Sequence, residues 1–124
     1  MSEVTYLQAG KETLRTDGRA VDLVAAKAYT KGDVVYQNGF HGIAMNTVAQ
    51  GDNFAVEIAQ RVHILAATTA LSGIAVGDGI YIDANGDLTK DAETEGVANH
   101  LAFKVVAIDS ANGTIDALIL PQSV

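Results

Sequence analysis

The 124-residue chain has no cysteine and no tryptophan, and its single proline is Pro121. Without cysteine there can be no disulfide, zinc-thiolate site or thiol nucleophile, and the redox compartment is left open. The four tyrosines and three phenylalanines are scattered, too few for a carbohydrate-binding face or a platform for stacking bases. No apolar run approaches the roughly 20 residues of a membrane span, and no charged start followed by an apolar stretch marks a signal peptide. The expectation is a soluble protein made in the cytoplasm. Basic residues are scarce, 8 against 15 acidic, for a net charge of −7. The imbalance is local: residues 1–31 hold five basic and four acidic residues, whereas residues 32–124 hold three and eleven. A body this acidic repels phosphate backbones, which argues against nucleic-acid binding.

Catalytic motifs are missing as well. His41, His63 and His100 lack the spacing of a helical metal site and are read as structural, with His63 facing solvent by strand parity with Glu57 and Arg61. Asp83, Asn85 and Asp87 begin like a calcium loop. Leu88 stands where that loop needs glycine, and a hairpin turn accounts for the same residues. Gly10-Lys11 looks like the end of a phosphate-binding loop, but Thr5 takes the earlier glycine position and Glu12 replaces the magnesium-binding hydroxyl. This excludes an ATP-driven recombinase. Ser72-Gly73 lacks the elbow of a serine hydrolase. The chain is read as having no catalytic residues, no metal and no cofactor.

What the chain does have is turn chemistry. Gly-Asp occurs at Gly32-Asp33, Gly51-Asp52 and Gly77-Asp78, each followed within a few residues by a strand-like run. Asn-Gly occurs at Asn38-Gly39, Asn85-Gly86 and Asn112-Gly113, between segments rich in β-branched or aromatic residues. Asn-Gly supplies the positive φ angles of tight hairpins, and the aspartates are read as turn caps. The fold class is therefore all-β, a small β-barrel or β-sandwich built from hairpins. An extended N-terminal arm over residues 1–17 precedes a single domain over residues 18–124.

Along the chain, residues 21–29 read as strand, although Ala25-Ala26-Lys27-Ala28 holds helix formers. Residues 34–36 and 40–45 form a hairpin. Phe54, Val56 and Ile58 alternate on one face, and after Gln60-Arg61 the residues Val62 and Ile64 resume that alternation. Residues 66–73 read as a loop with one helical turn. Residues 80–82 pair with a strand near Leu88, residues 89–96 form an exposed loop, and residues 101–108 and 114–120 make the last hairpin. Tyr36 and Tyr81 are placed in the core or at corners. The final strand is apolar on both faces, with Ile115, Ala117 and Ile119 on one and Leu118 and Leu120 on the other. Ile115, Leu118, Ile119 and Leu120 are accordingly the candidate subunit interface.

The order of these phrases resembles a known family. Tyr6-Leu7-Gln8-Ala9-Gly10, then Tyr29-Thr30-Lys31-Gly32-Asp33-Val34-Val35, Gly42-Ile43-Ala44, Ala49-Gln50-Gly51-Asp52 and Ile74 through Asp83 are similar to the tailed-phage capsid cement, or head-decoration, proteins. The likeness spans about residues 4–120, and the family's usual glycine after the second Gly-Asp is replaced by Gln60-Arg61-Val62. The resemblance implies a homotrimer on the outer surface of a mature phage head, with the major capsid protein as partner and no membrane or nucleic acid bound. The arm would add as a strand to a capsid edge, with Val4, Tyr6 and Leu7 setting the register. Another phage structural subunit, such as a tail-tube or head-completion protein, or a small-ligand β-barrel, are the alternatives.

Overall fold

Asn38 and Gly39 both adopt positive φ, 55° and 82°, the mirror-image turn whose twist matches that of the strands it joins. They connect β2 (Val34–Gln37) to β3 (Phe40–Ala44) in a two-residue hairpin with Gln37 opposite Phe40. The computed structural model describes residues 19–122; the arm expected over residues 1–17, with Val4, Tyr6 and Leu7, lies outside the described residues. The described chain is nearly all β, with curled sheets forming a half-barrel.

The remaining elements are β1 (Ala20–Val24), β4 (Asn53–Glu57), β5 (Val62–Ala66), a 3₁₀ turn (Thr69–Leu71), β6 (Gly79–Ile82), β7 (Leu88–Thr89), β8 (Glu93–Thr94), β9 (Val97–Ala98), β10 (His100–Asp109) and β11 (Thr114–Ile119). One sheet has the order β1-β4-β3-β2 and a second β5-β11-β10-β6-β7, while β8 and β9 form a separate ribbon. All pairings are antiparallel. The two outer strands of the four-stranded sheet, β1 and β2, are linked at their ends by one side chain. Gln37 on β2 donates from Nε2 to the Val24 carbonyl at 2.7 Å and accepts from the Ala26 amide at 3.0 Å. A side-chain amide thus ties the end of β2 to the end of β1.

Two apolar clusters follow from this layout. Ala25, Tyr29, Val35, Ala44, Phe54 and Val56 fill the curl of the four-stranded sheet, where Tyr29 stacks on Phe54 with ring centroids 5.1 Å apart. The larger cluster lines the five-stranded sheet through Leu65, Ile80, Ile82, Phe103, Ile115 and Ile119, joined by Ile43 from β3. Each of these large side chains contributes about 1.5–3 kcal/mol by leaving water. Register shifts in β10, between Leu101 and Phe103 and between Val105 and Ala107, bend that strand and give the sheet its curvature.

Several expected details change. The strand over residues 21–29 ends at Val24; Tyr29 keeps only an isolated bridge to Val48. The loop over residues 89–96 contains β8 and, with residues 97–98, makes the exposed ribbon. Tyr36 is 43% exposed and stacks on His100 instead of entering the core. The largest correction concerns β5. Val62 and Ile64 point outward, 52% and 72% exposed, and the inward positions are His63 and Leu65. β4 and β5 belong to different sheets, so the corner at residues 58–61 carries the chain across without transmitting side-chain parity, and one residue of slip exchanges the faces.

Candidate interaction surfaces

The three Gly-Asp phrases share one geometry. Gly32, Gly51 and Gly77 have φ of 94°, 91° and 93°. In each case the following aspartate amide bonds the carbonyl three residues back, Asp33 to Thr30, Asp52 to Ala49 and Asp78 to Ala75. These are type II turns, which place φ > 0 at the third residue. Asp33 Oδ2 accepts from the Thr30 amide at 2.8 Å and Asp78 Oδ2 from the Ala75 amide at 2.9 Å, so both carboxylates serve their own turns. Asp83 Oδ1 accepts from the amides of Asn85 and Asp87 while Gly86 takes φ of 84°. Asp109 accepts from the backbone and side chain of Asn112 beside Gly113, and the Asn112 side-chain bond holds its carboxyl below the usual range.

The buried polar centre is a histidine pair. His41 on β3 is fully buried; its Nε2 lies 2.8 Å from the Leu120 carbonyl and its Nδ1 lies 2.8 Å from Nε2 of His100 on β10. A carbonyl only accepts, which assigns the His41 proton to Nε2; Nδ1 is then an acceptor and His100 donates from Nε2. Burial pushes both rings toward the neutral form, and the charge of His41 further lowers His100. Gln122 completes the joint, accepting from the His41 amide at 2.9 Å and donating to its carbonyl at 2.8 Å. The group clasps one sheet to the other and to the segment after β11. His63, expected to face solvent, instead bonds Glu57 Oε1 at 2.6 Å across the same junction. Among the described residues, no group of three potential metal ligands occurs.

A cleft of about 680 Å³ is lined by Tyr29, Val34, Leu65, Thr69, Asp87 and Leu88, among others. Outside it, the outward face of the five-stranded sheet carries the exposed Val62, Ile64 and Leu101 together with the charged Lys104 and Asp116. Leu118 on β11 stands between Val62 of β5 and Lys104 of β10, and Leu101 and Tyr81 continue the face onto β6. Of the candidate interface residues, Ile115 and Ile119 are 1% and 0% exposed inside the chain's own core, while Leu118 and Leu120 are half-buried on the other side of the strand. Val62 and Ile64, which strand parity assigned to the interior, join Leu118 on the outer face.

The chain matches the phage cement protein family over residues 15–119. It belongs to that family. No curated protein and no solved structure matches the chain. Membership makes this cement protein a phage capsid-stabilising structural protein of the virion, in a family that is generally non-enzymatic. Asp33, Asp78, Asp83 and Asp109 cap turns, and His41, His63 and His100 link strands of different sheets. No helix among the described residues is long and apolar enough to cross a membrane.

Proposed function

We propose that this cement protein binds the outer surface of the mature capsid as a homotrimer and holds neighbouring major capsid subunits together. The family match over residues 15–119 carries this reading. The apolar residues around Leu118 on the outward face support self-association, because a soluble monomer seldom leaves such a row uncovered. The N-terminal arm is assigned to the capsid: an extended segment adds to an exposed strand edge through main-chain bonds, and Val4, Tyr6 and Leu7 supply the register. Three arms on one trimer share an effective concentration, so modest contacts add up to firm attachment.

The test joins solution mass to head binding. Light scattering is expected to give a trimer that binds expanded empty heads. Deleting residues 1–16 is expected to leave the trimer and its melting temperature in place and to abolish head binding. Full head binding by the truncated protein would overturn the arm assignment. A ring or hexamer would point instead to a tail-tube or head-completion subunit.

A further inference from the structure

In an Asn-Gly pair the backbone can attack the preceding side chain, because glycine puts no Cβ in the path of its own amide nitrogen. The chain holds three such pairs, and their surroundings differ. At Asn85-Gly86 the nucleophile is engaged, since the Gly86 amide donates to the Asp83 carbonyl at 3.0 Å. At Asn112-Gly113 the leaving group is held: Asn112 Nδ2 donates to Asp109 Oδ2 at 2.7 Å. The same carboxylate repels any negative charge that grows on the Asn112 amide.

Asn38-Gly39 differs on each count. Both residues are exposed at the tip of the β2–β3 hairpin, and among the described residues the Gly39 amide has no backbone partner. Nothing lies within 4 Å of the place where a Cβ on Gly39 would stand, so a ring can close there without displacing a neighbour. The Asn38 side-chain oxygen, Oδ1, accepts from Gln37 Nε2 at 2.9 Å. Gln37 is locked in that pose. Its Oε1 accepts from the Ala26 amide at 3.0 Å and its Nε2 donates to the Val24 carbonyl at 2.7 Å, which fixes the amide's orientation and aims the second N–H at Asn38. A donor held in advance against an oxygen on which charge develops lowers the barrier at no cost in reorganisation.

We propose that Asn38 is a site of selective self-modification by deamidation, with Gln37 as the residue that positions and polarises its side-chain amide. The Gly39 nitrogen bonds to Asn38 Cγ and gives its proton to water. The tetrahedral carbon, its negative oxygen bonded to Gln37, then expels Nδ2, which takes a proton from water and leaves as ammonia. A water molecule opens the resulting cyclic imide at one of its two carbonyls, so that asparagine plus water becomes aspartate or isoaspartate plus ammonia. The aspartate form keeps the two-residue turn, because Asp tolerates the positive φ of this position. The isoaspartate form carries the backbone through an extra methylene and opens the β2–β3 hairpin. Either product makes a neutral tip anionic. The inference goes beyond the capsid reading and does not need it, since the test uses the free protein without heads.

The full chain is incubated at mildly alkaline pH, and each Asn-Gly pair is followed by peptide mass mapping, with isoaspartate counted by enzymatic methylation. In the folded protein Asn38 is expected to convert about threefold to tenfold faster than Asn85 or Asn112, the range that one hydrogen bond supplies. In urea the three rates should converge, because only neighbours in sequence then act. Gln37→Leu separates the donor from a mere brace. Losing the donor slows conversion of Asn38 by about threefold to tenfold, whereas losing only a brace loosens the tip and speeds it. Gln37→Glu keeps an acceptor for the Ala26 amide but has no N–H to give, and should slow conversion likewise. Equal rates at the three pairs in the folded protein, or a faster rate at Asn85 or Asn112, would overturn the proposal. So would Gln37 variants that convert Asn38 as fast as the native sequence or faster.

Discussion

At the scale of single residues, the chemistry of this protein is spent on joints. Asp33 and Asp78 close their own turns, Asp83 and Asp109 do the same in the hairpins, and Gln122 fastens the segment after β11 to His41. Gly77 has open space around it but a φ of 93°, so the strain of a substitution there is conformational. Gly77→Val should cost about 1–3 kcal/mol. An unchanged melting temperature would rule out the backbone conformation described. The histidine pair gives stability a pH dependence of definite sign. Both rings are pushed below their ordinary value by burial, so the unfolded chain binds protons that the folded one refuses. Stability is then full above about pH 6.5 and falls as pH drops through the window between that value and the lowered native one. Among the described residues no carboxylate bonds either ring; the flanking groups are the Tyr36 ring, the Phe103 ring and the Leu120 carbonyl. A melting temperature that stays flat from about pH 7.5 to about pH 5 would show that the clasp carries no such penalty.

At the scale of elements, hairpins were legible and corners were not. Asn38-Gly39 announces its hairpin because the turn needs two positive φ values and few residues supply them. The one helical turn expected in residues 66–73 is the 3₁₀ turn at Thr69–Leu71. Strand parity failed once, where it mattered most for the outer face. Phe54 and Val56 point inward as the alternation implies, but beyond the corner the inward residues are His63 and Leu65. Alternation is a property of one strand, and it carries no information across a change of sheet. Close approach of elements is similarly invisible. At Gly42, where β3 meets β4, an added methyl would collide with the Glu57 carbonyl, a backbone atom that cannot step aside alone. Gly42→Ala should lower stability by about 1–3 kcal/mol although φ is ordinary there. Chemical denaturation showing no loss would mean that β3 and β4 separate more readily than their register implies.

For the whole molecule, two small clusters are tied together by Ile43, by the His41–His100 bond and by the Glu57–His63 bond. What remains outside is the row of apolar residues around Leu118 on the five-stranded sheet. If that row carries self-association, Leu118→Arg, which sets a second cation beside Lys104, should convert the trimer to monomer in light scattering. The melting transition of the monomer should persist, because Leu118 lies on the side of β11 away from Ile115 and Ile119. A variant that remains trimeric would move the subunit contact to another surface.

The amino-acid sequence by itself determined the all-β class, the placing of the hairpins and the kinship with capsid cement proteins. Each of these rests on local requirements, such as a positive φ, a period of two or the order of short phrases. Only the tertiary structure decided that Val62 and Ile64 face outward, that β4 and β5 fall in different sheets, and that Gln37 ties the end of β2 to the end of β1. It also brought together His41 and His100, 59 positions apart. These features depend on how two sheets bend and where a corner sets the next strand down, which is settled by packing between residues distant in the chain.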